Sequence, residues 1–372
     1  MAKLKTWTAL ATLLAVTACG YGVPGMTGTS PDASFSGQAT GGRWWAVQFH
    51  AHSTVHGGQR SIADLIAMAK AEKLDALAVT EHDSLAHFEV PEWKNERDLT
   101  MIHSYEWTSK SGHMGLHGPQ LARIEAPIPN TLTNTDMLAQ AHQQGLTKIM
   151  HHPKMPGSNN WKSGWDPRIN AIEIWSNWYF IENTDRDSQA QGAYAADNDF
   201  NAMVFNSQAI TWWDSLLRAG QRIPMAASSD YHRWPQKLSS PCTLVYAKDK
   251  REESLLDALR KGRTVGIKEP GSARIVLEAD RDGDGTFESM IGDSFKASGN
   301  VAVKATVFNG QNMTLSLTTA KGKVADEKVT SNRWSKVFTV PANQDYAWAR
   351  LDSKVTDMIL QSITSPIYFD GR

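Results

Sequence analysis

The chain has 372 residues, 41% hydrophobic and 21% charged, an ordinary globular composition that excludes disorder along its whole length. Lys and Arg number 38 against 39 Asp and Glu. The basic excess that phosphate-backbone binding requires is therefore absent, and nucleic acid is not an expected partner.

At the N-terminus, Lys3 and Lys5 precede an apolar run from Leu10 to Ala18, the layout of a secretory signal and too short to span a bilayer as a helix. Residues 1–18 are expected to be removed. The run closes on Val16-Thr17-Ala18-Cys19, which resembles a bacterial lipoprotein signal and implies Cys19 as the lipidated residue. Loss of Lys3 and Lys5 moves the formal net charge from −1 to −3, so acyl chains rather than charge would hold the protein to the membrane. Lipidated Cys19 implies an anchored place in the cell envelope, and Gly20 stands where an Asp often signals inner-membrane retention. In a cell with two membranes this is the periplasmic face of the outer membrane. Cys242 is then the one remaining thiol, with no partner for an internal disulfide, and is expected to be buried. Residues 19–43 are rich in Gly, Ser, Thr and Pro and read as a flexible tether.

Residues 44–270 form the expected main domain. Trp44 to Phe49 suits a buried strand. Ser61 to Lys73 places Ile62, Leu65, Ile66 and Ala69 on one helical face, with Ser61 as N-cap and Asp64 three residues on. Further strands are predicted over Asp75–Thr80, Met101–Glu106, Lys148–His151, Ala171–Trp175 and Met225–Ala227, and helices over Asp136–Gln144, Ala202–Arg218 and Glu252–Lys261. Strands alternating with helices predict parallel pairing in an α/β fold. Because the suspicious polar residues fall just after strands, a barrel is favoured over an open sheet. From about Ser272 the helical pattern stops. Alternating segments over Val301–Phe308, Thr314–Thr318, Lys336–Val340 and Tyr346–Leu351 predict a small antiparallel, sandwich-like β domain over residues 271–372.

Five successive strand ends carry His, Asp or Glu. They are His50-Ala51-His52-Ser53, Thr80-Glu81-His82-Asp83, Glu106, His151-His152-Pro153 and Ser229-Asp230-Tyr231-His232. In an extended segment alternate side chains point the same way, so both imidazoles of His50 and His52 can reach one ion. Imidazole and carboxylate donors without thiolate suit Zn, Mn or Fe. The pleat lets only one of His151 and His152 face such a site, and Pro153 next door favours His152. Glu81 and Asp83 are expected to orient histidines, while His87, His103 and His142 read as ordinary polar positions.

In order and spacing these motifs resemble the PHP family of metal-dependent phosphoesterases over roughly Trp44 to Ile267. The resemblance implies a distorted, TIM-like barrel of about seven strands. It implies His50, His52, the bridging Glu106 and Asp230 around one metal, and Glu106 with His152 and one further histidine around a second, a place that His113 fits better than the nearby His117. His82 and His232 would serve a third. The family's usual ligand-bearing turn after the first motif is replaced by Val55-His56-Gly57-Gly58, so His56 would stand in for the missing ligand, or the third site would be weak. The expected cofactors are two or three divalent ions. A bridging hydroxide held by Glu106, Asp230 and His232 would attack an ester phosphorus. Short matches at Ala258 to Arg263 and Thr364 to Tyr368 resemble the carbaryl hydrolase-like branch of that family. They imply a carbamate or carboxylic ester hydrolase as the alternative activity. A third reading is a noncatalytic lipoprotein that binds sugar or lipid.

Lys154 and Arg233 directly follow ligand positions and are expected to meet substrate oxygens. Trp161, Trp165, Trp175, Trp178, Trp212 and Trp213 crowd the same region. They would either form an aromatic substrate rim for the organic part of a small-molecule, lipid or sugar phosphoester, or pack an insert. Asp280, Asp282, Asp284 and Gly285 open like a calcium loop, but Ile291 occupies the twelfth position. An EF-hand is excluded; a turn between strands, with or without Ca held by Asp280, Asp282 and Asp284, is expected.

Overall fold

The structure is a computed structural model that describes residues 41–155, 159–177, 191–234, 236–353 and 360–371. The signal, Cys19, most of the tether and Trp178 lie outside the described residues.

The first part of the chain runs β1 (Arg43–Gln48), α1 (Ile62–Ala71), β2 (Ala76–Ala78), α2 (Pro91–Asn95) and β3 (Thr100–Ile102). It continues with β4 (Ser104–Ser109), β5 (Gly112–His117), α3 (Asn134–Gln143), β6 (Thr147–Met150), β7 (Ala171–Ser176) and α4 (Gln191–Arg218). Next come β8 (Met225–Ser228), β9 (Cys242–Ala247), α5 (Glu252–Arg260) and β10 (Thr264–Ile267). The remainder is strand: β11 (Arg274–Asp280), β12 (Ser289–Met290), β13 (Asn300–Phe308), β14 (Thr314–Thr319) and β15 (Gly322–Lys328). It ends with β16 (Arg333–Pro341), β17 (Tyr346–Asp352), β18 (Leu360–Thr364) and β19 (Ile367–Tyr368).

Local chemistry accounts for the first helix. Ser61 Oγ accepts from Asp64 N at 3.1 Å and Asp64 returns a bond to Ser61 N at 3.1 Å, a capping box that satisfies two orphan donors. Ile62, Leu65, Ile66 and Ala69 are buried on one face, as their spacing predicts.

The expected continuous strand over Met101–Glu106 is broken into β3 and β4, which lie in different sheets. At the break, the backbone N–H and ring Nδ1 of His103 both face the Glu252 carboxylate, each at 2.9 Å. A side chain on α5 thus satisfies the donor that a strand neighbour would otherwise take.

The closed barrel is not found. Among the described residues there are three sheets and five α-helices. One sheet runs β15-β14-β17-β18-β10-β9-β1-β2-β3, the second β12-β11-β13-β16 and the third β4-β5-β6-β7-β8. Among the described strands parallel pairing is limited to β1–β2, β2–β3, β6–β7 and β7–β8, whereas β4, β5 and β6 pair antiparallel. In the first sheet β1 pairs antiparallel with β9, and β9 with β10, where a parallel barrel strand is expected. The first and third sheets still meet at the strand ends through single bridges, Ala51 with Tyr231 and His82 with Glu106. Those bridges bring together the motif residues. Beyond residue 270 the described strands pair antiparallel, with one parallel bridge between Ser294 and Tyr368, and β18 pairs with β10 so that C-terminal strands extend the first sheet.

Packing claims five of the six tryptophans singled out in the sequence, the sixth being Trp178, whereas Trp234 is 65% exposed. Trp161, Trp175 and Trp213 are buried in one hydrophobic cluster, with Trp165 and Trp212 partly buried against it, so these five are core and its margin rather than an exposed rim. Cys242 is a buried free thiol. The acidic turn between β11 and β12 satisfies its own backbone: Asp280 accepts from Gly283 N at 2.7 Å and Gly285 N at 2.9 Å, and Asp284 accepts from Thr286 N at 2.7 Å.

Candidate metal centre

The end of β1 is tied to the end of β8 by a side chain that the motifs do not include. Gln48, fully buried, accepts from His50 N at 3.2 Å and Ser229 N at 3.1 Å, fixing the two segments that carry His50, His52 and Asp230. Gln236 acts likewise on the turn after Asp230, accepting from His232 N at 2.7 Å and Arg233 N at 3.2 Å while donating to Asp230 O at 3.2 Å. Three of the non-glycine residues with left-handed backbone belong to the motif segments: Asp83 at φ 47°, His152 at 24° and Asp230 at 48°. Strain of this kind concentrates where side chains must be aimed against the local preference.

Four donor atoms from three different segments converge. His50 Nε2 lies 3.2 Å from His52 Nε2, 3.0 Å from Asp230 Oδ1 and 3.3 Å from Glu106 Oε1, and His52 Nε2 lies 3.2 Å from Asp230 Oδ1. Donors about 2.0–2.1 Å from a tetrahedral ion sit roughly 3.3–3.4 Å from each other, which these separations approach. His50 Nδ1 faces Glu173 Oε2 at 2.9 Å, so the Nδ1–H bond leaves Nε2 as the lone-pair nitrogen, the carboxylate–histidine pairing typical of ligating imidazoles.

Around Glu106 a second group gathers. Oε1 is 3.2 Å from His113 Nδ1, 3.4 Å from His152 Nε2 and 2.8 Å from His151 Nδ1. Both members of the His151-His152 pair therefore face Glu106, contrary to the pleat argument, because the left-handed backbone at His152 ends the strand alternation. On the outer side, His82 Nδ1 lies 2.8 Å from Glu106 Oε2 and 2.7 Å from Thr108 Oγ1. The His52 ring stacks on those of His82 and His232, with centroids 4.4 and 4.1 Å apart. Donor atoms of His52, His82 and His232 form one group able to hold an ion, as do those of His50, Glu106 and His152. His56 lines the cleft mouth with its ring 5.4 Å from that of His82.

Electrostatics follow from this density. Burial pushes Glu106 upward, but His113, His50 and His82 outweigh it and hold its carboxyl well below the usual range. Asp230 is likewise held low against its burial, by His50 and His232. Burial pulls His50 down, yet Asp230, Glu106 and Glu173 together carry it well above an ordinary histidine. His52 is driven well below by burial and by His232 and His82. The result is a nest of ionised carboxylates whose imidazoles are driven in both directions, His50 and His82 upward by the carboxylates and His52, His113 and His232 downward by burial; a divalent cation would take the place of the protons on the raised histidines.

Glu81 and Asp83 act at one remove. Glu81 takes bonds from Ser53 N at 3.0 Å and from Ser53 Oγ, and burial lifts it to about 7. Asp83 accepts from Thr108 N at 3.0 Å and Asn130 Nδ2 at 2.8 Å, and so positions the Thr108 hydroxyl beside His82. A cleft of about 600 Å³ opens over the centre, lined by His56, His82, Glu106, His113, His152, Asp230, His232, Asn130 and Arg233 among others. Lys154 is placed elsewhere: its ammonium lies 4.4 Å over the Trp212 ring, because that half-buried ring offers the nearer counterface. His87 is buried between Phe88 and Trp93 and held by burial at about 3, while His142 is exposed.

Glu173, Thr108, Gln48 and Gln236 escape the motif reading. Only Glu173 leaves a trace in the sequence, as a charge inside the apolar strand Ala-Ile-Glu-Ile-Trp.

No family model matches the chain, and no curated protein matches it either. Among solved structures, it is similar to a two-domain protein containing a predicted PHP-like metal-dependent phosphoesterase from Bacteroides vulgatus. The identity is 14% and the TM-score 0.44, covering 89% of this chain and 97% of that one. It is also similar to PsfC from Pseudomonas syringae, at 18% identity and TM-score 0.41, over 61% of this chain and 92% of that one. An amidohydrolase from Chromobacterium violaceum follows at 12% identity and TM-score 0.30, over 52% and 89%. These likenesses are distant, and the reading of the site rests on its own donors.

Proposed function

We propose that the chain is a divalent-metal-dependent hydrolase of phosphomonoesters or phosphodiesters. The observation that carries this is the convergence of His50 Nε2, His52 Nε2, Asp230 Oδ1 and Glu106 Oε1 at 3.0–3.3 Å from one another or from the shared His50 nitrogen, beneath an open cleft. His50, His52, Glu106 and Asp230 would hold one ion, Glu106, His113 and His152 a second, and His82 with His232 and His56 a third. Bound divalent ions would acidify water and neutralise charge on the ester oxygens.

The residues of the chain prepare that chemistry. Glu173 keeps the His50 proton on Nδ1. Thr108 and Asp83 set the His82 ring, Gln48 and Gln236 set the backbone under Asp230, and Arg233 lines the cleft where a phosphoryl oxygen would lie. Arg is suited to that role by its planar fork of donors.

The lipoprotein-like N-terminus supports a tethered place in the cell envelope as part of the same proposal. The short sequence matches to carbaryl hydrolase-like proteins support a carbamate or carboxylic ester as the alternative substrate. The test is hydrolysis of p-nitrophenyl phosphate, bis-p-nitrophenyl phosphate and p-nitrophenyl acetate by protein loaded separately with Zn, Mn and Fe. Metal-dependent turnover of either phosphoester is expected. Turnover of the acetate alone moves the assignment to carboxyl substrates, and no turnover by fully loaded protein removes the hydrolase reading.

A further inference from the structure

Beneath the ligand layer lies a second layer of imidazole. His151 and His117 are both 0% exposed. The His151 ring stacks on that of His50, with centroids 3.6 Å apart and planes inclined by 18°, and its Nδ1 meets Glu106 Oε1 at 2.8 Å. That separation is a hydrogen-bond length. The nitrogens of His113 and His152 stand farther from the same oxygen, at 3.2 and 3.4 Å, as atoms sharing an ion with it would.

The other edge of His151 is equally constrained. A Cβ on Gly115 would fall 2.3 Å from His151 Nε2 and 2.6 Å from His117 Nε2, so the missing side chain at Gly115 is what admits both rings. Gly115 pairs with Glu106 across β4 and β5. The carboxylate and the ring that meets it are therefore registered on adjacent strands.

We infer that His151 is a positioning residue of the metal centre: its Nδ1–H donates to Glu106 Oε1 and fixes the rotamer of the shared carboxylate, in a slot that Gly115 opens and His117 closes from behind. The inference rests on the reading of Glu106 as a shared ligand. It gives the His-His-Pro motif two different tasks, with His152 in the ligand group and His151 behind it. Removing the groups that orient a ligand costs about 10–100-fold in metal affinity.

Asparagine places an amide N–H where the imidazole has Nδ1, whereas leucine offers no donor. Full-length protein, His151→Leu, His151→Asn and Gly115→Ala are compared by elemental analysis at saturating zinc and by competition with a chromophoric chelator. His151→Leu and Gly115→Ala are expected to keep the parental zinc stoichiometry while losing about 10–100-fold in affinity for one ion. His151→Asn is expected to recover most of that loss. Parental affinity in His151→Leu overturns the inference. Loss of one whole zinc equivalent in both His151 variants also overturns it, since His151 is then a ligand. If the parent itself takes up no ion, the metal-centre reading fails first and the inference with it. Should His151→Leu not fold, the nitrogen spectrum of ¹⁵N-histidine in the zinc-loaded parent decides: a proton on His151 Nδ1 supports the inference, and a metal-bound nitrogen on His151 overturns it.

Discussion

Glu173 offers the sharpest test of how the centre is built. Its carboxylate is fully buried on β7 and lies 2.9 Å from His50 Nδ1. In Glu173→Gln the shape and one acceptor survive, so His50 can keep its tautomer, but the negative charge that makes Nε2 a stronger donor is gone. Orienting carboxylates of this kind contribute about 10–100-fold to metal affinity, equivalent to about 1.4–2.7 kcal/mol. Glu173→Leu removes the acceptor too and leaves the His50 Nδ1–H buried without a partner, adding about 1–3 kcal/mol of lost stability. Chelator competition measures the first quantity and urea unfolding of metal-free protein the second. The expected order of zinc affinity is parent, then Glu173→Gln, then Glu173→Leu. Glu173→Gln binding zinc within twofold of the parent would refute the reasoning, because the carboxylate would then have no electronic part in the site.

Chelation should lower the melting temperature by on the order of 5–10 °C relative to zinc at about a thousandfold excess over its dissociation constant; a melting temperature indifferent to chelator in protein shown to hold zinc would contradict a metal-linked fold. Lys148 is buried, its Nζ donates to Leu146 O at 2.5 Å, and burial with the nearby Arg260 and Arg168 lowers it to about 8. A cation whose pKa falls on folding destabilises the native state below its folded value, and that cost disappears as pH rises toward the unfolded value. Lys148→Met should therefore add about 1–3 kcal/mol at pH 7, with the advantage shrinking between about pH 8 and 10.5; denaturation across that range shows whether it does. Gly58→Ala would set a Cβ 2.2 Å from the backbone oxygen of His52. Backbone cannot yield as a side chain would, so about 1–3 kcal/mol should be lost together with zinc occupancy, and a variant with parental urea midpoint and zinc content would disprove the close packing of that loop.

Most motif histidines and carboxylates were legible because they follow apolar strands; Glu106 and His113 instead stand inside β4 and β5, and His113 was reached only through the family resemblance. His50 and His52 need only the extended backbone between them, and Asp230 and His232 need only their place after an apolar strand. The supporting residues were not legible. Gln48 and Gln236 act through backbone contacts between segments about 180 residues apart or within an irregular turn, and nothing in their neighbourhood marks a glutamine as structural. Thr108 matters only because β4 lies beside the end of β2.

Two expectations failed for a common reason. Alternation of strand and helix patterns says which segments are extended, but not whether neighbours run parallel. The hairpin of β4 and β5 and the antiparallel insertion of β9 beside β1 turned an expected ring into sheets joined by single bridges. The pleat argument that admitted one histidine of the His151-His152 pair assumed regular strand geometry, which ends at the left-handed His152.

Sequence alone determined the donor types, their order along the chain and, Glu106 and His113 apart, the strand ends that carry them, since these depend on side-chain chemistry and local backbone period. Tertiary structure decided which donors share an oxygen, which imidazole stands behind the others, and why Glu173 and Gly115 belong to the centre. Those relations are set by contacts across strands far apart in sequence, where no local pattern reaches.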